Sequence, residues 1–361
     1  MGIPIALDYS WFLIFALLSW SFAVSYYPAQ FGDWSPAMYW VMGALTAVML
    51  FVSVLIHELG HSVIALKYKI PIRSITLFIF GGVAQIANEP PSASAEFWIA
   101  LAGPVTSLLL AVAFFVLQFL FSPSPPLFAL LKYLSNINFM LALFNLIPGF
   151  PLDGGRVFRA VVWGFNHSLR KATLIAGNVG RFIAFLFIFI GFWQMFTGNV
   201  GDGLWIAFIG WFLESAASSQ IQLQMVQSLL AGHKVADVMN RNFAVIQPGA
   251  YLQQLVDDHI LPTGQRAFIV KQGDAVLGLL TLHRLKEVPR SRWSKARVDQ
   301  VMIPASAMKS VRPTEELSEC FSELIRGGVN QLPVMDGGKI YGMLNREDVM
   351  SFLHTMESIQ Q

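Results

Sequence analysis

Ile56-His57-Glu58-Leu59-Gly60-His61 lies inside an apolar run that extends from Tyr39 to Leu66. Two histidines four residues apart share one face of an α-helix and lie about one turn from each other. That spacing lets both imidazoles bind one Zn²⁺, with Glu58 beside them to accept a proton from water. The neighbouring residues are Val, Leu, Met and Phe, among which ionisable side chains are costly to bury and usually serve a function. The stretch therefore predicts a zinc site on a helix within a membrane.

The composition separates the chain into two parts. Of its 361 residues, 55% are hydrophobic and 13% are charged, whereas a soluble domain carries roughly 25% charged residues. Residues 1–230 hold nine Lys/Arg and eight Asp/Glu, and the last 131 residues hold fifteen and fourteen. We therefore expect a membrane domain at 1–225, a linker at 226–232 and a soluble domain after it. The net charge of +2 gives no reason to expect a nucleic-acid partner.

Cysteine content and the N-terminus add two expectations. Cys320 is the one cysteine, so neither an intrachain disulfide nor a cysteine-based metal site can form. This fits a reducing compartment for the soluble part. The apolar N-terminus lacks a basic segment before it, which favours a retained first helix over a cleaved signal peptide.

Six segments approach the roughly 20 apolar residues that a membrane-spanning helix needs. They are 9–27, 38–66, 95–121, 127–147, 174–197 and 203–223. Basic residues follow the second and fourth segments, whereas the connections 28–37, 122–126 and 198–202 contain none. By the positive-inside rule, both termini and everything after the sixth segment lie in the cytoplasm. We expect a multi-pass integral membrane protein, most readily of a prokaryotic cell membrane, with an α-helical membrane domain and a cytoplasmic α/β domain.

Residues 72–87, between the second and third segments, have a different pattern. They are rich in Ile, Thr, Phe and Val, are preceded by Pro71 and are interrupted by Gly81-Gly82. The run is too short for two more spans, and it predicts a β-hairpin or small sheet that dips into the membrane where protein covers it. An apolar surface loop is the alternative.

A catalytic zinc needs a third protein ligand and one position left for water. Asp153 follows a Pro- and Gly-rich turn at the inner end of the fourth segment, Glu214 lies in the middle of the sixth, and His167 lies in a polar turn. His57 lies about 20 residues, roughly 30 Å, from the outer end of its helix, at a depth similar to that of Asp153. Glu214 lies only about 11 residues in, roughly 16 Å, although helix tilt blurs such differences. Depth favours Asp153 as the third ligand, and Glu214 is the alternative.

Two polar motifs together resemble the site-2 protease family. They are His57-Glu-Leu-Gly-His61 and Asn145-x-x-Pro-x-x-Pro-Leu-Asp153-Gly, with the Gly81-Gly82 hairpin between them and Ala102-Gly103-Pro104 in the third segment. The resemblance covers about residues 5–225. It implies intramembrane proteolysis of single-span membrane proteins.

The resemblance also assigns roles to these residues. It implies His57, His61 and Asp153 as ligands of one Zn²⁺, with Glu58 as general base. It implies that Asn145 contacts the peptide or the developing oxyanion, while a helix C-cap is an equally good interpretation of that residue.

The hairpin offers a hypothesis for substrate binding. A helical substrate hides its peptide bonds and must unwind before attack. The strand at Gly81, Gly82 and Val83 could then pair with the extended substrate by strand addition.

The soluble part contains an internal repeat. Val235–Met239 is echoed 63 residues later by Val298–Met302, and Ala267–Val270 is echoed 64 residues later by Gln331–Val334. One unit used twice predicts two packed modules, at 233–290 and 291–361. The pattern resembles a tandem pair of cystathionine β-synthase (CBS) domains.

The CBS resemblance implies a regulatory module that binds an adenine nucleotide or forms a homodimer. An Asp near the final helix of such domains commonly holds a ribose hydroxyl, which points here to Asp348 with Asn345. The first repeat has Arg284 where that Asp would be, so one nucleotide site is expected and the other is doubtful. Arg284 could instead meet a phosphate, although an exposed surface arginine is the commoner case.

Two other functions are compatible with parts of the pattern. A CBS-regulated transporter or channel with a structural metal site would carry paired internal repeats in its membrane domain, and segments one to three do not resemble segments four to six. A different membrane protease with the HExxH motif would use Glu214 as its third ligand.

Overall fold

The computed structural model describes residues 3–79, 81–86, 90–121, 124–326 and 329–360. The chain divides into two compact units, Met1–Gln224 and Met225–Gln361. Within the predicted hairpin segment, Phe80 and Ala87 lie outside the described residues.

The first unit is built from long helices. They are α1 Tyr9–Ser21, continued by a π-helical turn at Phe22–Tyr26 and by α2 Tyr27–Gln30, then α3 Pro36–Lys67, α4 Ala93–Leu120, α5 Pro125–Asn145, α6 Asp153–Asn166, α7 Leu169–Phe196 and α8 Val200–Leu230. Among the described residues, five helical stretches are long and apolar enough to cross a membrane: Tyr9–Gln30, α3, α4, α5 and α7. The sixth predicted segment lies in α8, which is not among these five, so its passage through the membrane stays a prediction.

Short polar side chains fix where the long helices begin. Asp8 accepts a hydrogen bond from the backbone N–H of Ser10 at the start of α1, and Ser35, Ser92 and Ser168 cap α3, α4 and α7 in the same way. Each cap satisfies one of the N–H groups that a helix start leaves without a partner.

Helix α4 lies in the centre of this unit and packs against α3, α5 and α6. Small residues allow the close approach of α3 and α4, because a side chain at Gly60 would collide with Thr106 and with the backbone of Ala102. At the periphery, large apolar side chains such as Leu109 and Phe182 are mostly exposed. Small residues inside and large apolar residues outside are typical of a helical bundle surrounded by lipid.

The predicted β-hairpin is confirmed and belongs to a three-stranded sheet. Strands β2 Ile72–Phe78 and β3 Gly81–Ile86 pair antiparallel, and β1 Ile5–Leu7 pairs parallel with β2. The sheet order β1-β2-β3 leaves β3 at an edge. The sequence did not predict β1, because three apolar residues directly before a helix give no alternating pattern of their own.

The second unit alternates short helices and strands. Its strands are β4 Ala244–Ile246, β5 Ala267–Gln272, β6 Ala275–Thr281, β7 Ile303–Pro304, β8 Gln331–Asp336 and β9 Lys339–Asn345. Its helices are α9 Val235–Val238, α10 Leu252–Leu255, α11 Leu261–Thr263, α12 Leu282–Lys286, α13 Val298–Val301, α14 Leu317–Arg326 and α15 Arg346–Gln360, with a π-helical turn at Val256–Ile260 and 3₁₀ turns at Arg290–Arg292 and Ala305–Ala307. Two apolar cores, around Phe268 and around Phe321, hold these elements together.

The internal repeat is visible in the register of the two hairpins. The β5–β6 hairpin shifts register after Val270, and the β8–β9 hairpin shifts at the matching Val334. Each glycine opposite these valines contacts the other repeat: a side chain at Gly278 would meet Met302 Sδ at 3.0 Å, and one at Gly342 would meet Met239 Sδ at 3.2 Å. The two repeats therefore exchange equivalent contacts.

Candidate active site

The structure brings His57, His61 and Asp153 together. The Nε2 atoms of the two histidines lie 3.2 Å apart, and each lies 3.1 Å from Asp153 Oδ2. Both histidines are almost fully buried on α3, and Asp153 is the first residue of α6. The three side chains form the one such cluster of potential metal ligands among the described residues.

The donor set of this cluster fits a zinc ion. Ligand atoms at the usual zinc distances of about 2.0–2.1 Å in a tetrahedral arrangement lie roughly 3.3 Å apart, close to the spacing observed. The Nδ1–H of His61 donates to the carbonyl of Ile99 at 2.6 Å, which leaves a lone pair on Nε2 of the neutral ring. That lone pair faces a carboxylate oxygen and a second imidazole. A cation bound between the three atoms would remove the repulsion among their lone pairs.

Helix α4 supports both imidazoles from behind. His57 Nδ1 lies 2.8 Å from Ser107 Oγ, and His61 uses the backbone carbonyl already described. A side chain at Gly103 would lie 2.6 Å from His57 Nε2 and closer still to His61. These supporting contacts could not be predicted from the sequence, because they join residues some 40–50 positions apart that no local pattern links.

Glu58 lies between the histidine pair and the edge of the sheet. Its Oε2 accepts a hydrogen bond of 3.2 Å from the backbone N–H of Ala84 on β3. A side chain at Gly82 would lie 2.6 Å from Glu58 Cγ, so glycine leaves the room that the glutamate occupies. Gly81 has a φ of +129°, a conformation that residues with a side chain rarely adopt. Gly81 and Gly82 thus let the edge strand pass close to Glu58.

The turn between α5 and α6 presents Asp153. It contains a cis peptide bond between Phe150 and Pro151, and a Cβ at Gly154 or Gly155 would collide with backbone atoms of the same turn. A side chain at Gly180 on α7 would meet the Phe150 carbonyl oxygen at 2.5 Å. Glycines on both sides therefore allow the compact turn that carries the aspartate to the histidines.

A buried ion pair joins the two helices on either side of the cluster. Arg159 on α6 donates to Glu96 Oε1 on α4 through Nε at 2.7 Å and also through Nη2. The Glu96 side chain is fully buried and that of Arg159 is 11% exposed. Arg159 also lies over the ring of Phe150, 5.2 Å from its centre. This pair, which the sequence analysis did not identify, fastens the helix that bears Asp153 to the helix that supports the histidines.

Two residues considered at the sequence level lie elsewhere. Glu214 pairs with Arg181 at 3.3 Å and accepts from Ser218, and it is not part of the histidine cluster. Asn145 ends α5, and its Nδ2 donates to the carbonyl of Leu141 at 3.0 Å.

In the second unit, Asn345 and Asp348 line a cleft of about 240 Å³ that is bordered by both repeats, and Asn345 Nδ2 donates to Asp348 Oδ2 at 2.6 Å. Arg284 is not among the residues that line this cleft; it pairs with Glu287 of the turn that follows α12 at 2.8 Å. The hydrogen bond from the Arg284 guanidinium is the main cause that holds the pKa of Glu287 below its usual value.

The fold and the site define a class: a multi-pass membrane protein that carries a zinc-metalloprotease centre. Comparisons with known proteins agree. The model of peptidase family M50 matches residues 45–129 and 124–191, and the CBS domain model matches residues 298–355. The chain is 34% identical to the zinc metalloprotease sll0528 of Synechocystis sp. over 98% of this chain and 94% of that protein. It is 33% identical to the zinc metalloprotease Rip3 of Mycobacterium tuberculosis over 96% of this chain and 90% of that protein.

Among solved structures, the site-2 protease of Methanocaldococcus jannaschii is 30% identical, with a TM-score of 0.42, over 61% of this chain and 92% of that chain. The chain belongs to peptidase family M50, the site-2 protease family, and carries a C-terminal CBS domain. It is a zinc metalloprotease of a membrane, and this family membership argues against the transporter or channel alternative.

Proposed function

We propose that this metalloprotease cleaves single-span membrane proteins within the membrane, near its cytoplasmic side. The observation that carries the proposal is the convergence of three side chains in a membrane-embedded bundle. His57 and His61 lie on α3, which is long and apolar enough to span a bilayer, and they meet Asp153 at the start of α6, with Glu58 beside them. A protease of soluble substrates has no need of such surroundings, since they raise the cost of every charged group.

The proposed roles follow from the geometry. His57, His61 and Asp153 would hold the metal, which would supply a water of lowered pKa and a polarised scissile carbonyl. Glu58 accepts the proton of the attacking water at its carboxylate and returns it to the leaving nitrogen. The N–H of Ala84 orients that carboxylate, and Ser107 with the Ile99 carbonyl holds the two imidazoles in place.

The outer edge of β3 is the proposed docking site for the unwound substrate. Edge strands present unpaired N–H and C=O groups that an extended peptide can pair with. Gly81, Gly82 and Val83 lie in this strand, and Val83 is 47% exposed. Asn145 is the proposed contact to the peptide or the oxyanion, which requires its amide to turn away from the Leu141 carbonyl.

The proposed orientation places both termini and the CBS pair in the cytoplasm of a prokaryotic cell, on the strength of the basic residues that follow the second and fourth predicted spans. The CBS pair is the proposed regulatory module, through an adenine nucleotide at Asn345 and Asp348 or through formation of a homodimer. The cleft bordered by both repeats supports the nucleotide site.

Cleavage of single-span membrane proteins by the purified full-length enzyme tests the proteolytic function. We expect Glu58→Gln to abolish cleavage while one zinc per chain remains, and Asp153→Asn to lose zinc as well. Glu214→Gln is the matched control, because it neutralises a carboxylate outside the cluster and should retain both zinc and cleavage. Loss of zinc from Glu214→Gln but not from Asp153→Asn would transfer the third ligand to Glu214.

Thermal unfolding of the full-length protein with ATP or AMP tests the nucleotide site. A bound nucleotide stabilises the folded state by mass action, so we expect a rise in unfolding temperature that Asp348→Ala removes. Arg284→Ala, which changes a residue outside the cleft, should leave the rise unchanged. The absence of any shift with either nucleotide would remove this part of the proposal.

A further inference from the structure

A cleft between α3 and α5 opens beside the candidate active site. It has a volume of about 580 Å³, and of its ten lining side chains two are polar, Ser53 and Asn138. Val54, on its α3 wall, also contacts the β3 edge, since its Cγ1 would lie 3.2 Å from a Cβ at Gly82. The other wall extends from Ile137 on α5 to Ile147, which lies just after the helix in the turn that carries Asp153. The cleft therefore borders the β3 edge at Val54, one helical turn before Glu58 on α3.

The amide of Asn138 has an unused acceptor in this apolar wall. Its Nδ2 donates to Ser53 Oγ at 3.1 Å and to the Leu134 carbonyl at 2.8 Å. Ser53 Oγ itself donates to the Met49 carbonyl, so it must accept from the amide, and the orientation of the amide follows. Asn138 is fully buried, and its Oδ1 finds no hydrogen-bond partner within the described part of the chain. A buried acceptor without a partner is unfavourable unless something else uses it.

We propose that Asn138 Oδ1 is a substrate subsite that accepts a hydrogen bond from a backbone N–H of the unwound transmembrane segment. The proposal rests on the proposed intramembrane proteolysis. A lipid acyl chain would fill the apolar cleft but has no donor for Oδ1, and the middle of an intact helix has no free N–H. An unwound apolar segment supplies both apolar side chains and free N–H groups. Because Oδ1 is covered in this structure, α3 and α5 separate around the incoming segment.

The position of the subsite sets which substrate residue it contacts. Ser53, the partner of Asn138, precedes His57 by four residues on α3, about 6 Å of helix rise. That distance corresponds to about two residues of extended chain. The contacted N–H therefore lies two or three residues from the scissile bond, and substrates that unwind easily at that point are favoured.

Cross-linking in the full-length protein tests binding without requiring turnover. The probe is a synthetic single-span polyleucine peptide with a central Asn-Gly pair and one cysteine, and the enzyme carries Glu58→Gln, Cys320→Ser and Ile137→Cys. We expect a disulfide cross-link between peptide and enzyme that falls about tenfold with Asn138→Leu. Ser135→Ala is the matched control: it removes a buried hydrogen bond of 2.9 Å from the same helix to Ala111, and it should leave the cross-link unchanged.

Replacing single peptide amides with esters removes the donor from the substrate and leaves the enzyme intact. In the enzyme that keeps Asn138, an ester two or three residues from the cleavage point should lower the cross-link yield about tenfold. In Asn138→Leu, where the acceptor is already gone, the same ester should cause no additional loss. In active enzyme, Asn138→Leu should raise KM about tenfold while kcat and zinc content stay unchanged.

Several results would overturn the subsite. The first is a cross-link yield that changes by less than twofold in Asn138→Leu and with every ester peptide. The second is the absence of a cross-link to Ile137→Cys because lipid fills the cleft. The third is a loss of cross-link yield in Ser135→Ala as large as that in Asn138→Leu. An enzyme that keeps Glu58, carries Cys320→Ser and Ile137→Cys, and cross-links the peptide in this pattern but cleaves no membrane protein would instead refute the proposed function and leave the subsite standing.

Discussion

Gly103→Ala adds one methyl group at the point where α4 touches both histidines, and its effect can be worked from the structure. An ideal Cβ at this position lies 2.6 Å from His57 Nε2 and 2.5 Å from His61 Cε1, whereas ordinary contact begins at 3.4 Å. His57 would therefore have to retreat by roughly 0.8 Å, well beyond the roughly 0.2 Å that zinc–ligand distances tolerate. Moving α4 away instead would open the close packing of Gly60 against Thr106, at a cost of about 1–3 kcal/mol.

We expect Gly103→Ala to bind zinc at least about 100-fold more weakly, and to lose cleavage with it, while the protein remains folded. Helix propensity predicts the opposite effect, because alanine is the better helix former by about 1 kcal/mol and would stabilise α4 in isolation. A loss of zinc binding would therefore come from the contact with the histidines. Zinc per chain is measured by elemental analysis after dialysis against a graded chelator, with cleavage assayed on the same samples. Gly164→Ala is the matched control, since its Cβ would meet only Ala93 at 3.9 Å. Full zinc occupancy and normal cleavage in Gly103→Ala would refute the reasoning.

Three further predictions concern other contacts. Gly82→Ala should keep zinc but lower kcat at least about tenfold, since its Cβ would lie 2.6 Å from Glu58 Cγ; loss of zinc instead would mean that the strand supports the metal ligands. Glu96→Gln, which leaves Arg159 without its counter-charge, should lower the free energy of unfolding by about 3 kcal/mol, measured by thermal and denaturant unfolding in detergent; an unchanged stability would contradict a role for the pair. Burial raises the pKa of the Cys320 thiol to about 12, so iodoacetamide at pH 8 should label the folded protein at least about 100-fold more slowly than the denatured protein. That rate should increase with pH, because the thiolate is the reactive form, and labelling as fast as that of an exposed thiol would show the site to be open.

Much of this arrangement could be predicted from the sequence, and the limit is set by the range of the contacts. The histidine pair follows from helical spacing alone, and the hairpin follows from composition and the Gly81-Gly82 interruption. Strand β1 and the support from Ser107 were not predicted, because each depends on a partner far away in the chain. Local periodicity carries no information about which face of one helix meets which residue of another.

Depth along a helix is useful but insufficient for choosing between Asp153 and Glu214 as the proposed third ligand. Counting residues placed Asp153 and His57 at similar depths, yet helix tilt could have brought Glu214 to the same level. What separates the two carboxylates in the structure is not depth but partners. Glu214 lies beside Arg181 on the neighbouring helix. Because this arginine compensates the charge of the carboxylate, Glu214 needs no metal ion as its counter-charge. Among the described residues, the ion-pair contacts of Asp153 are to the two histidines alone, and Asp153 begins a helix whose N-terminal dipole favours a carboxylate. An aspartate presented in this way to two imidazole nitrogens fits a shared cation, so the partners of the two carboxylates support the proposal of Asp153 over Glu214 as the third ligand.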